Sequence, residues 1–315
     1  AMLPITLKKY QIRARNFYRT YCGKDDPTSA QICAAILARA QELQPNSFST
    51  LKSALLNDQI SRSNHGAAQA IRQIVNPVTA PNSELARKPK PSKVRAVSHA
   101  DFKSLYKHLK DLGYIEEAAS LILAHCLGVR PCEMRTITVV DSYVSIIGGK
   151  KNASLHRGAD RTLIIESPKV LHRVKQAASW MSNCPRTNTA IRDRLRKECR
   201  TLWPRRKQHP TLKSFRHQVG SNLKASGESA EAIAYIMGHQ STGSISIYGN
   251  RRSGEGRKLY IKAAESGDLS KVRKPEKAPR YGREKVIGKV EFPAATRGPW
   301  FHEMKPRREA KMRDR

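Results

Sequence analysis

Lys213, Arg216 and His217 form a cationic cluster, Gly238-His239 follows it, and Tyr248 stands nine residues past that histidine. A guanidinium is planar, permanently ionised and bidentate, so it suits charge spread over phosphate oxygens. A histidine adds a further hydrogen-bond donor. A free phenol has a pKa of about 10, so a tyrosine becomes a nucleophile only where a base or nearby cations favour the phenolate. Tyr248 lies in SISIYGN, a Ser/Gly-rich stretch and not an apolar stripe, which argues against a packing role. Farther upstream, LGVRPCEM places Arg130 and Glu133 three residues apart. These types suit an anionic ester.

The elements that must position them can be read locally. The sequence predicts a helix over 215–225, stopped at Gly227, then a second helix capped by Ser229 with Glu231 in its first turn. Ala230, Ile233, Ile236 and Met237 line one face of that helix, and Gly238 closes it, leaving His239 at its end. Pro131 suits the first position of a short helix, which would put Arg130 near the cap with its side chain free to leave the fold. Three runs rich in Val, Ile, Thr and Tyr, 136–140, 143–147 and 162–166, predict strands. The segment between the last two, GGKKNASLHRGADR, carries Lys150 and Lys151.

A chain of 315 residues is long enough for two domains with cores of their own. Lysine and arginine number 59 against 26 acidic residues, a formal charge of +33. Charge of that size favours a polyanionic partner, with nucleic acid ahead of an anionic membrane surface. No apolar run reaches membrane-span length and no signal-peptide core is present. The six cysteines form no C-x-x-C pair and show no zinc spacing, so they read as reduced, mostly buried thiols of a cytoplasmic protein. Phosphate-cradling and dinucleotide glycine motifs are missing as well, so no metal and no nucleotide cofactor is expected.

Lys213-Ser214-Phe215-Arg216, Gly238-His239 and Tyr248 resemble the C-terminal signature of the tyrosine recombinase (phage-integrase) family, H/K-x-x-R, then G-H or G-W, then the nucleophilic tyrosine. Arg130 and Glu133 resemble its first arginine box. The resemblance covers about residues 1–264. It implies a mainly α fold with a small antiparallel β-sheet (α+β): a helical core-binding domain over 1–85, a basic linker over 86–98 and a catalytic domain over 99–264. It also implies roles. Arg130 and Arg216 would clamp the phosphate, His239 would donate to it, and Tyr248 would attack. A lysine delivered by a β-hairpin, Lys150 in preference to Lys151, would protonate the leaving 5′ oxygen. Lys213 would act electrostatically, while Glu133 and His217 would support the cluster. The hairpin turn is longer here than the compact family version.

The rest of the chain is expected to bind DNA. Predicted helices over 6–21, 29–43, 47–60 and 64–75 carry Lys8, Lys9 and Arg13, and the linker carries Lys90, Lys93 and Arg95. Further helices are predicted over 99–112, 114–127, 168–181 and 189–202, the last with Arg192 and Arg196 and followed by Arg205 and Arg206. Past Tyr248 the pattern predicts a short helix over 256–264, able to dock on a neighbouring subunit or to pack in cis. Residues 265–315 are rich in Lys and Arg, lack a hydrophobic period and are expected to be largely disordered. The function implied is strand exchange between specific sites in double-stranded DNA by a homotetramer on two duplexes, at a bacterial nucleoid. A type IB topoisomerase and a non-catalytic DNA-binding regulator are the alternatives.

Overall fold

The computed structural model describes residues 4–90, 92–94, 96–149, 159–256 and 259–274, with the backbone alone at 246 and 247. Arg95, Lys150, Lys151 and the tail from 275 onward lie outside the described residues. The chain divides into two compact units, one drawn from residues up to His125 and from Pro185–Gln218, the other from Cys126–Cys184 and from Val219 onward.

The first unit is helical. It begins with α1 (Pro4–Phe17), α2 (Ser29–Ala38), α3 (Pro45–Ser61) and α4 (His65–Gln73). Their starts follow local chemistry: Thr28 and Gln31 form a capping box, Pro45 occupies the first turn of α3, and Asn64 caps α4. The apolar stripes meet in one core that includes Phe17, Tyr18, Ile32, Ile36, Phe48, Leu55 and Ile71. Tyr18 is buried there with its hydroxyl accepting from Gln59 (2.9 Å). Next come α5 (His99–Asp111), capped by Ser98, and α6 (Ile115–Leu127). After Pro185, α8 (Asn188–Leu202), capped by Thr187, packs on α5 through His108 and Glu198 (3.0 Å).

The second unit holds a four-stranded antiparallel sheet in the order β1-β2-β3-β4. β1 (Ile137–Val140), β2 (Tyr143–Ile146) and β3 (Arg161–Ile165) match the three predicted strands to within a residue or two. α7 (Pro168–Ser182) opens on the Ser167 cap and packs against β1 and β3. Two further helices form the predicted hairpin, α9 (Leu212–Ala225), which begins in the first unit, and α10 (Ala230–Ile236), capped by Ser229. Tyr235 of α10 accepts the Thr162 amide of β3 (3.1 Å).

Three expectations are corrected. Within the predicted helix 256–264, the residues Ile261–Ala263 form strand β4, paired with β3 through Leu163↔Ala263 and Ile165↔Ile261. A short apolar run has no decisive period, and the open edge of β3 supplies backbone partners that a helix would forgo. Residues 265–274 are structured: Arg273 exchanges backbone hydrogen bonds with Gln240 and Thr242, and Val272 is buried. Pro131 opens a turn leading into a single 3-10 turn (Met134–Thr136), so Arg130 starts no α-helix.

Candidate active site

In the second unit, Arg130 is built around one carboxylate, that of Glu133, and His239 and Tyr248 belong to the same unit. α6 ends at Leu127, Gly128 takes a left-handed φ of 62°, and the following turn closes through the Glu133 amide onto the Arg130 carbonyl (2.9 Å). The Glu133 side chain is wholly buried and accepts four donors. These are the Arg130 amide (3.0 Å), the Arg130 guanidinium (2.5 Å), the Arg161 guanidinium (2.9 Å) and the Gly149 amide (3.2 Å). Burial alone would raise this carboxyl, but Arg161 and Arg130 outweigh it and hold it down at about 2. Gly149, whose amide the same carboxylate holds, directly precedes Lys150 and Lys151 in sequence.

The two arginines also reach the end of α10. Arg161 Nε donates to the Ile236 carbonyl (2.8 Å), and both terminal nitrogens of Arg130 lie 3.3 Å from the Gly238 carbonyl. A helix C-terminus carries partial negative charge, so guanidiniums are favoured there. The helix ends in a Schellman motif: the Gly238 amide donates to Tyr235 (2.8 Å) and the His239 amide to Ala234 (2.8 Å). Gly238 has a φ of 62°, and a Cβ on it would lie 2.5 Å from Arg161 Nη1 and 3.4 Å from Arg130 Nη1. A side chain there would strain the left-handed backbone and force the Arg161 guanidinium to shift.

That motif delivers His239 buried, with its ring 4.8 Å from the ring of Tyr248 and tilted by 42°. Tyr248 follows a 3-10 segment (Thr242–Ile247) and donates its amide to the Ile245 carbonyl (3.0 Å). It is half-buried. Gly249, at a φ of 67°, wraps against Ser221 of α9, whose hydroxyl accepts the Asn250 amide (3.0 Å).

In the first unit, Lys213, Arg216 and His217 lie on the first half of α9, where Thr211 and Ser214 cap each other reciprocally. Arg216 is buried, His217 half-buried and Lys213 exposed. Lys8, Lys9, Arg13, Lys90, Lys93, Arg192, Arg196, Arg205 and Arg206 are exposed, with Arg192 paired to Asp193 and Arg206 to Asp101.

Arg161 escapes a reading of the sequence. It is the first residue of a strand, in a charged stretch that suggests solvent. Yet period-two alternation sets it on the face of Leu163 and Ile165, both buried, and its side chain has no exposed surface. That alternation is the signal that could have found it. Among the described residues, no group of three His, Cys, Asp or Glu side chains is placed to hold a metal, and no helix is long and apolar enough to cross a membrane.

No known family profile and no curated protein matches the sequence itself. Solved structures do. The chain is similar to a lambda integrase dimer bound to a COC′ core site (TM-score 0.57, 17% identity, covering 82% of this chain and 75% of that one). It is similar to a lambda integrase tetramer bound to a Holliday junction (0.55, 14%, 82% and 74%). A third likeness is to the Tn1549 transposon integrase in complex with transposon right end DNA (0.50, 12%, 80% and 90%). With identities this low the likeness is one of architecture, and the helical chain with its small antiparallel sheet carries the tyrosine recombinase (phage-integrase) fold.

Proposed function

We propose that this protein is a site-specific DNA recombinase that cuts and rejoins strands through a tyrosine. The observation that carries the reading is the joint placement of a fixed Arg130, a buried His239 and the Tyr248 ring within one unit. The phenolate of Tyr248 attacks a DNA phosphorus, a phosphotyrosyl bond forms at the 3′ side, and the bond to the 5′ oxygen breaks. That oxygen leaves with a proton, for which Lys150 is the donor in this reading. Arg130, Arg216 and His239 take the charge that grows on the non-bridging oxygens, a fixed electrostatic contribution that usually dominates such reactions. Lys213 adds positive charge, and Glu133 holds Arg130 in its orientation. The phosphotyrosine keeps the energy of the broken ester, so religation needs no nucleotide hydrolysis, and no step calls for a metal.

The charge of +33 fits a duplex partner, and a homotetramer on two duplexes is the assembly in which exchange would occur. The exposed cations of α1, the linker and α8 would grip the backbone and set register without reading sequence. The test uses a duplex that the protein selects from a random-sequence pool, nicked so that cleavage is trapped. A denaturing gel should show a covalent adduct with the parental protein and none with Tyr248→Phe, whose DNA affinity stays nearly unchanged. An adduct that survives the substitution overturns the assignment. Relaxation of a supercoiled plasmid by the monomer would instead indicate a topoisomerase.

A further inference from the structure

Tyr248 is held through its backbone, and one side chain holds that backbone from both sides. The Lys224 ammonium donates to the carbonyls of Ile245 (2.8 Å) and Gly249 (2.9 Å). The Ile245 carbonyl also accepts the Tyr248 amide, so a single oxygen links the two residues. The Gly249 carbonyl follows Tyr248 directly. Lysines usually keep their ammonium in water while the stem covers apolar surface. This one makes no ion pair among the described residues and spends two of its three donors on carbonyls that bracket one side chain.

The seat is built along α9. Gly220, one turn before Lys224, packs against Tyr248, where an added Cβ would meet Tyr248 Cβ at an ordinary contact distance of 3.5 Å. Ser221 accepts the Asn250 amide, and Gly249 passes so close to Ser221 that a side chain there would run into its amide nitrogen. Arg216, Gly220 and Lys224 follow at four-residue intervals, so helical spacing sets them on one face of the helix.

We propose that Lys224 is a positioning residue that sets the backbone on both sides of Tyr248 and so aims the phenol. The proposal rests on Tyr248 being the nucleophile for its catalytic consequence, though not for the seating itself. A lysine here does no chemistry on the phosphate. It fixes where the attacking oxygen starts, and a displacement of about an ångström can cost on the order of 10²-fold in rate.

The experiment compares Lys224→Met and Lys224→Gln with the parental protein in two measurements. Amide hydrogen exchange should accelerate about tenfold or more across 245–250 in Lys224→Met, with the sheet and α10 unchanged, because a charged donor to two carbonyls is removed. Single-turnover adduct formation at saturating DNA should fall about 10- to 100-fold with Kd unaltered. Lys224→Gln, which keeps one donor, should lie between the two in both readouts. It carries the test if Lys224→Met loses protection everywhere. Unchanged exchange across 245–250 would overturn the seating role, and faster exchange with an undiminished cleavage rate would overturn the catalytic one. If the parental protein forms no tyrosine adduct, the nucleophile assignment fails, while exchange still decides whether Lys224 seats the loop.

Discussion

The charged cluster around Glu133 and the segment around Tyr248 belong to the same unit, yet they are held in opposite ways. Glu133 is wholly buried and saturated by four donors, and the Arg161 side chain beneath it has no exposed surface. Tyr248 is half-buried at the end of 3-10 turns, tied down by backbone carbonyls and amides that lean on α9. A group that only stabilises charge works best when it needs no reorganisation at the moment of reaction. In the proposed reaction Tyr248 would end joined to a DNA strand and would have to travel with it. The two parts differ in what holds them: ion pairs backed by two backbone amides around Glu133, and hydrogen bonds without an ion pair from Lys224 and to Ser221 around Tyr248.

The largest effect is expected from the two proposed phosphate-binding arginines, Arg130 of the Glu133 cluster and Arg216 on the first half of α9. Arg130→Ala and Arg216→Ala should each slow adduct formation by about 10²-fold or more, the scale of losing one preorganised donor to a developing oxyanion. DNA affinity, read by titration, should fall far less, since many other cations hold the backbone. Cleavage at the parental rate in either variant would remove that residue from the clamp.

Deeper in the same cluster the effect should move from rate to stability. Glu133→Gln leaves two buried or half-buried guanidiniums without their anion, at a cost of about 3–5 kcal/mol, measurable by urea unfolding. The pH dependence has a definite sign. The Glu133 carboxyl is held at about 2 instead of its usual 4.5, so its stabilising contribution is present above the usual value and is lost as pH falls from there through about 2. The parental protein should lose roughly 3 kcal/mol across that window, and Glu133→Gln should lack that component. Equal pH dependence in the two proteins would mean that Glu133 is not the buried anion described.

The smallest effect sharpens the contrast from the other side. Removing residues 275–315 takes away many lysines and arginines. If they neutralise phosphates, log K should vary less steeply with log salt, by about 0.9 for each phosphate no longer neutralised, with the adduct still forming. Cutting ten residues earlier, after Ala264, also removes Arg273 and its backbone bonds to Gln240 and Thr242, between His239 and Tyr248. That shorter chain should lose adduct formation as well. Equal cleavage by both truncations would show that residues 265–274 do not support the tyrosine segment.

What the sequence discloses follows from how far each signal reaches. Ser98, Ser167 and Ser229 mark helix starts because a cap acts within three residues. Gly238 marks the end of α10 for a similar reason, and its second constraint, the closeness of Arg161 and Arg130, becomes visible only in three dimensions. Arg161 itself is hidden because residue type says exposed, while the groups that hold its side chain, Glu133 and the Ile236 carbonyl, lie 28 and 75 residues away in sequence. Strand β4 reads as a helix in sequence because Leu259–Ala263 is too short to show a period, and its pairing with β3 bridges about a hundred residues of sequence. The carbonyl partners of Lys224 leave no mark in composition at all, since any surface lysine at that position would look the same.

The most direct test of the central claim is to find which atom of the protein ends up joined to DNA. The trapped adduct would be digested with nuclease and protease, and the peptide bearing the nucleotide remnant sequenced by mass spectrometry. The account predicts a remnant on the hydroxyl of Tyr248, bonded through the 3′ phosphate. A remnant on Tyr260 or on any other residue, or a phosphate carried from the 5′ side, would contradict it.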